Sequence, residues 1–322
     1  MALATITTST ASGSGLDSTR IAQVFNQKFL QHAENKLVLA NLCEQFDLPR
    51  QAGTQTMRFF RRGAADVTNV RTLTEGSPIS SFSHGTIENV EVSLAQYGDA
   101  AKITDTRVAT DLIKQLELET ARMAEEAALH LDTQIRDVMF TSLTAGGNSA
   151  QLIDKTANAA GSRAITVGDL DKAATILDEN RAQPLDGGAY VAVVSPRQAY
   201  DLRRDADWKN VSTYSDKEKI YNGEIGKLFN VKVVVATNPK TFTHNTSLTG
   251  HSAFVFGKEF AGTIKLAGSN SPMKPQLMYN DKPDKSDPLG QFNVVGWKAW
   301  YASMVLNPKF GVLIKSDRNL LA

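Results

Sequence analysis

Two glycines, Gly223 and Gly226, stand in the stretch YNGEIGKLFNVKVVVATNP, just ahead of a run of valines. A phosphate-binding loop runs from a strand through glycines into a helix, because the helix N-terminus supplies free N–H groups and the positive end of its dipole. Here the glycines precede the strand-like run 231–236, and the Thr-rich stretch after it has no helical periodicity. We therefore predict a hard turn that feeds a buried strand. An α/β enzyme that binds a phosphorylated small molecule near Gly223–Gly226 remains the alternative.

Three further groups of residues could bind metal or act as a nucleophile. Glu126 and His130 are one helical turn apart, but carboxylate-bridged di-iron sites use Glu-x-x-His from paired helices, and this spacing is one residue longer with no second copy. His244 and His251 fall in a predicted loop without a third ligand, so we expect surface positions. Cys43 is the only cysteine, which favours a small buried hydrophobe and excludes an intrachain disulfide. We predict no catalytic, cofactor or metal site.

The segment MRFFRR, residues 57–62, combines basic and aromatic residues as single-strand nucleic-acid binders do. A strand with arginines on one face, packed against a neighbour, explains the pattern equally well. The chain of 322 residues carries a net charge of +1, without the basic excess of a protein that grips DNA phosphates. No apolar run approaches the ~20 residues of a membrane helix, so we expect no membrane partner.

A long amphipathic helix is the strongest structural signal. It is predicted from a cap at Asp105 or Thr106 to about Leu143, closed by Gly146-Gly147. Its apolar stripe repeats every three or four residues. The stripe consists of Ile113, Leu116, Thr120, Ala124, Ala127, Leu131, Ile135 and Val138.

Other elements are predicted on both sides of this helix. Residues 17–46 favour one or two helices that end at Leu48-Pro49, and residues 54–61 and 87–94 read as two polar strands of an extended arm. Between about residues 164 and 266 helix and strand patterns alternate, which is typical of an α/β or α+β domain. Two apolar runs separated by Asn307-Pro308 predict strands that return to a sheet.

Four motifs are distributed along the chain from Arg71 onward: RTLTEGSPI with AQYGDAAKITD, then VVSPRQAYDLRRDADW, NGEIGKLFNVKVVVATN and AFVFGKEFAG. In this order they resemble the major capsid proteins of tailed phages, of the N-four-type family. The resemblance implies an α+β fold of the HK-ninety-seven type. Its parts would be an N-terminal arm (1–50), an E-loop (51–104), a P-domain with the spine helix (105–163), an A-domain (164–268) and returning P-domain strands with the C-terminus (269–322).

The implied function is structural: hexamers and pentamers form an icosahedral shell around packaged double-stranded DNA. An encapsulin-type nanocompartment shell shares the fold and is a further alternative. Implied partners are other copies of the chain, portal, scaffolding and decoration proteins, and DNA bound without sequence specificity. The protein would be made in the bacterial host cytoplasm and reside in the virion.

The resemblance also assigns roles to residues. The expected E-loop contacts between subunits are Arg58, Phe60, Arg61, Arg62, Arg71 and Glu75. The spine helix would pack on the P-domain sheet through Ile113, Leu116, Leu131, Ile135 and Val138, and Gly223 and Gly226 would shape an A-domain turn. Some proteins of this fold join subunits covalently through an E-loop lysine. Residues 51–101 contain no lysine here, and the first lysine after them is Lys102. We therefore expect a shell without covalent cross-links.

Overall fold

A computed structural model of the chain describes residues 38–49, 53–61, 70, 72, 75–76, 87–110, 115–156, 163–185, 188–205, 207–208, 224–245, 248–267, 273–278, 288–289 and 291–317. The strands of these residues are β1 Glu44–Leu48, β2 Thr56–Arg61, β3 Glu88–Ser93, β4 Ala95–Thr104, β5 Leu152–Asp154, β6 Tyr190–Val194, β7 Glu224–Leu228, β8 Val231–Val235, β9 Thr241–Asn245, β10 Leu248–Phe256, β11 Ala261–Leu266, β12 Met273–Met278, β13 Phe292–Val305 and β14 Gly311–Ser316. The helices are α1 Leu39–Leu42, α2 Asp105–Thr110, α3 Gln115–Thr144, α4 Val167–Glu179 and α5 Pro196–Arg204. No helix in these ranges is long and apolar enough to cross a membrane.

The chain divides into two compact units. The smaller unit contains the ranges Gly98–Ala127 and Met273–Ala299, and the larger contains Leu37–Tyr97, Ala128–Pro272 and Trp300–Ala322. In the smaller unit, β12 runs antiparallel to β13, and β4 pairs with β13 as well. In the larger unit, β1 pairs in parallel with β11, which pairs antiparallel with the end of β13.

A mixed seven-stranded sheet forms the centre of the larger unit, in the order β5-β14-β10-β6-β8-β7, with β9 beside β10. All five residues of β6 are buried, so its sequence YVAVV is continuously apolar. Alternate residues of β6 enter different clusters: Ala192 and Val194 pack with α4 and α5, whereas Val191 and Val193 pack with α1 and α3. The sheet is therefore covered by helices on both faces.

The cap of α5 explains why this helix begins directly after β6. Ser195 Oγ accepts a hydrogen bond from Gln198 N at 3.1 Å, Gln198 Oε1 accepts from Ser195 N at 3.0 Å, and Pro196 occupies the first helical turn. Gln198 Nε2 also donates to Ser316 Oγ at 2.8 Å and to the His251 carbonyl at 3.1 Å. The predicted strand–Pro–helix unit is thus tied to two strands of the sheet.

Helix α3 confirms most of the predicted stripe. Thr120, Ala124, Ala127, Leu131 and Ile135 are all buried. Further along, the position that is fully buried is Met139, and Val138 is only half-buried. A step of four residues exceeds the 3.6 residues of one turn, so the buried residues Leu131, Ile135 and Met139 shift gradually around the helix and leave the straight line that the predicted stripe follows to Val138. Of the remaining stripe residues, Ile113 and the side chain of Leu116 lie outside the described part of the chain.

Two other expectations about these elements are corrected. Helix α1 ends at Leu42, and Glu44–Leu48 is a strand because its amides and carbonyls pair with β11, whereas residues 17–37 of the predicted N-terminal helices lie outside the described residues. The far end of α3 packs on β6, β10 and β14, and the first two of these strands fall in the range 164–268 rather than in the P-domain ranges on which this helix was expected to pack. Of the predicted long helix, the structure describes α2 and α3, and residues 111–114 between them lie outside the described residues.

Candidate interaction surface

Strands β2 and β3 form a two-stranded antiparallel sheet, here called the ribbon, as the sequence predicted. The register pairs Thr56 with Ser93 at one end and Arg61 with Glu88 at the other. A two-stranded sheet is only marginally stable in water by itself, so contacts between the ribbon and the rest of the chain must stabilise it.

The inner face of the ribbon supplies that packing. Its side chains contact a small buried cluster formed by β1, β11 and β13, and Phe46 lies edge-on to Phe59 with ring centroids 4.8 Å apart. The ribbon residues in this contact are Met57, Phe59, Val90 and Val92. The period-2 alternation of a strand places all four on one face.

Arg61 fixes the end of the ribbon to the rest of the larger unit. Its Nη1 donates to the Leu306 carbonyl and to Asn307 Oδ1, each at 3.2 Å, and its guanidinium pairs with Glu88. The hydrogen bond and charge of Arg61 lower the pKa of the Glu88 carboxyl. Arg61 therefore makes its contacts within its own chain.

The outer face of the ribbon is polar except for one aromatic ring. Phe60 is 74% exposed. Arg58 and Glu91 form an exposed ion pair at 2.8 Å on the same face, and Thr56 and Ser93 share a hydrogen bond at 2.9 Å. An exposed ring flanked by an arginine has the composition of interface positions, where aromatic residues and Arg are enriched.

The structure separates the six predicted contact residues. It places Arg58 and Phe60 together on the outer face, and it turns Arg61 toward the chain itself. Glu75 is exposed in a turn with Gly76. Arg62 and Arg71 lie outside the described residues.

A buried carboxylate that the sequence did not reveal anchors the start of the larger unit. Asp132 on α3 is 5% exposed and accepts backbone N–H groups from Val38 and Leu39 at Oδ2 (2.9 and 3.4 Å) and from Ala40 at Oδ1 (3.1 Å). Burial raises the pKa of Asp132, against the opposing effect of these amides and of Arg136. The contact joins residues more than 90 positions apart, so no local pattern could predict it.

The glycine segment does not build a phosphate-binding loop in the described residues. Gly223 lies outside them, and Gly226 lies within β7 at a break in the register with β8. The turn into the valine strand is formed by Phe229 and Asn230, which connect two strands, and no helix begins beside them in the part of the chain that the structure describes. The prediction of a buried strand after the turn is confirmed, since Val231 and Val233 are fully buried.

The other candidate ligands are dispersed. No cluster of His, Cys, Asp and Glu in the described ranges could hold a metal ion. Burial, together with a hydrogen bond to Asp99, raises the pKa of Glu126. The ring of His130 lies 4.7 Å from that of Tyr97. Cys43 is buried, as predicted, and burial raises the pKa of its thiol.

His251 corrects the expectation of a surface histidine. It lies in β10, is 9% exposed, and neither ring nitrogen has a hydrogen-bond partner in the part of the chain that the structure describes. Burial and the charge of Arg197 lower its pKa, so the neutral ring is favoured. His244 also lies in a strand, β9, rather than in a loop.

Comparison with known proteins gives one family and a consistent fold. The model of a protein family described as Phage capsid protein matches residues 88–314. The capsid asymmetric unit of cyanophage Pam1 is similar at TM-score 0.61 and 14% identity over 98% of this chain and 99% of that one. The capsid of Ralstonia phage GP4 also gives TM-score 0.61, at 13% identity over 87% and 88%. The holo-SrpI encapsulin of Synechococcus elongatus is more distant, at TM-score 0.50 and 11% identity over 86% and 85%. No curated protein matches the sequence.

Proposed function

This chain belongs to the phage capsid protein family, and we propose that many copies of it assemble as hexamers and pentamers into the icosahedral head of a tailed phage. Family and fold make it a major capsid protein, the structural protein of the shell. The observation that most supports a capsid function is the family match over residues 88–314, together with the similar fold. The shell would enclose double-stranded DNA, and the net charge of +1 suits an inner wall that encloses DNA without binding its phosphates strongly.

The parts of the fold support a division of roles in this proposal. Residues 1–50 would serve as the N-terminal arm, 51–104 as the E-loop, 105–163 with 269–322 as the P-domain, and 164–268 as the A-domain. The ribbon is the base of the proposed E-loop. Its apolar inner face is satisfied within the chain, so the outer face, with Arg58 and Phe60, is available for a second subunit.

We also propose a shell without covalent cross-links. No lysine lies between residues 51 and 101, and Lys102, in β4, has its ammonium 5.9 Å from the ring centroid of Phe292. Mature particles boiled in SDS with reductant should give one band near 35 kDa. Ladders of larger species that survive this treatment would refute the proposal of a non-covalent shell.

Imaging tests the function directly. The purified protein should sediment as large particles that appear as closed shells by negative-stain electron microscopy, and native particles should protect double-stranded DNA from nuclease. If the protein remains a small soluble species in cells that produce the native particles, this outcome would contradict the capsid function. A compartment shell of the encapsulin type, to which the fold is distantly similar, would instead protect protein cargo and no DNA. Synthesis in the host cytoplasm and association with portal, scaffolding and decoration proteins belong to the same proposal.

A further inference from the structure

The turn between β7 and β8 holds an aromatic residue in a backbone conformation that aromatic residues avoid. Leu228 and Val231 are paired, so Phe229 and Asn230 form a two-residue hairpin turn, with φ of +45° and +59°. Turns of this kind need positive φ at both central positions and favour Asn or Gly there. A bulky residue with positive φ is an outlier, because rotation about its N–Cα bond brings its Cβ close to the carbonyl group of the preceding residue.

The neighbouring contacts prevent this turn from relaxing. Val231 is fully buried on one side of the turn, and the Asn230 carbonyl accepts a hydrogen bond from Tyr190 N at 2.7 Å. The backbone is therefore fixed by the sheet, and Phe229 must adopt the conformation that the sheet imposes. A strained residue persists only where its surroundings over-determine it, and such residues cluster at functional positions.

The Phe229 side chain is only partly buried by its own chain, so little burial energy offsets the backbone strain. Phe229 is 53% exposed. Among the described residues the other non-glycine positions with positive φ are Arg181, Asn230 and Glu259, all of them polar. An asparagine at position 229 would satisfy the turn and remove an exposed ring, so strain and exposure both disfavour the residue that is present.

We propose that Phe229 is an assembly contact, held rigidly at the tip of the β7–β8 hairpin to pack against a second copy of this chain. Strand β7 is the last in the order of its sheet, so the hairpin lies at the sheet edge, with no further strand beside β7 in the described ranges. In a shell built from this one protein, another copy is the neighbour that such an edge meets. Because the backbone that carries the ring is already fixed, binding costs little backbone freedom, and buried aromatic anchors dominate interface energies. This inference rests on the proposed capsid function.

The test uses a substitution that should weaken assembly without lowering the stability of the subunit. Phe229→Asn removes the strain, so the Tm of unassembled subunits should stay level or rise by about 1–3 °C. The same variant should assemble poorly, with a critical concentration raised roughly tenfold or more. Phe229→Tyr keeps the ring and should assemble like wild type.

Glu259→Asn is the matched control. Glu259 has φ of +61° in the exposed turn between β10 and β11, so the variant relieves similar strain without removing a ring. It should assemble at the wild-type concentration. The inference is overturned if Phe229→Asn assembles like wild type, or if it lowers the subunit Tm by several degrees, which would make the ring part of the fold. If wild-type protein forms no shells, the proposed function fails and this inference fails with it, whereas equal shells from wild type and Phe229→Asn overturn this inference alone.

Discussion

Two regions of the molecule differ in how they bury apolar side chains. One is the core between α3 and the seven-stranded sheet, and the other is the ribbon. In the first region Ile135 and Met139 are fully buried between α3 and the strands β6, β10 and β14. In the second, the inner face is half-buried while Phe60 on the outer face is 74% exposed. The free energy of folding therefore resides mainly in the helix–sheet core, and we propose that the outer face of the ribbon serves contacts with other subunits. Predictions that separate folding from assembly test this contrast.

The largest effect is expected in the helix–sheet core. Ile135→Asp buries an unpaired charge at a position with no exposure, which costs several kcal/mol and should give insoluble protein. Leu129→Asp on the same helix is the control, because Leu129 is 50% exposed and the charge stays hydrated. Solubility and thermal unfolding measure the difference. Equal yields of soluble, cooperatively folded protein from both variants would contradict the assignment of the buried stripe.

The Asp132 anchor should give the next largest effect. Asp132→Ala leaves three amide N–H groups without their acceptor and should lower the free energy of unfolding by about 3 kcal/mol. Asp137→Ala removes a half-exposed carboxylate five residues along α3 and should cost less than about 1 kcal/mol. Urea denaturation of unassembled subunits measures both values. A loss at Asp132 no greater than that at Asp137 would show that the anchor is dispensable.

Adjacent phenylalanines of the ribbon should separate folding from assembly. Phe59→Ala removes a half-buried ring that packs on Phe46 and should cost about 2 kcal/mol of subunit stability. Phe60→Ala removes an exposed ring, should change stability by less than about 0.5 kcal/mol, and should reduce shell yield. Chemical denaturation and gradient sedimentation give the two readouts. Normal shell yield from Phe60→Ala would remove the outer face from the proposed interface.

A smaller effect is expected from His251 as the pH falls. Burial and the charge of Arg197 lower the pKa of His251 in the folded state below the value of about 6.5 that a free histidine side chain has, so the unfolded chain binds the proton more readily. The contribution of the neutral ring to stability is therefore complete above about pH 6.5 and is lost as the pH falls toward the folded-state pKa. His251→Leu should reduce the rise of Tm with pH in this range. The number of protons taken up on unfolding should fall by at most one. An unchanged slope between pH 5 and 7 would contradict this interpretation.

Local patterns predicted the elements whose burial repeats along the chain. The α3 stripe, the apolar strand β6 with its Pro196 helix start, and the two ribbon strands all follow from periodicity and capping residues. The exposed face of Phe60 also follows, because strand alternation opposes it to Phe59. These features depend on neighbours within a few residues in sequence.

The remaining features depend on distant partners. The change from helix to strand at Cys43 is imposed by pairing with β11, about 220 residues away, and Asp132 meets its amides across 92 to 94 positions. The turn into β8 falls at Phe229 rather than at Gly226 because the sheet register fixes it there, against local turn preference. The burial of His251 likewise follows from strands on both sides of β10.

Cryo-electron microscopy of the assembled shell, at a resolution that shows side chains, tests the contrast between core and ribbon most directly. We expect α3 to keep its buried stripe against the seven-stranded sheet, and a neighbouring subunit to cover the outer face of the ribbon at Arg58 and Phe60. A shell in which that face stays open to solvent in every subunit would show that the ribbon is not an assembly contact.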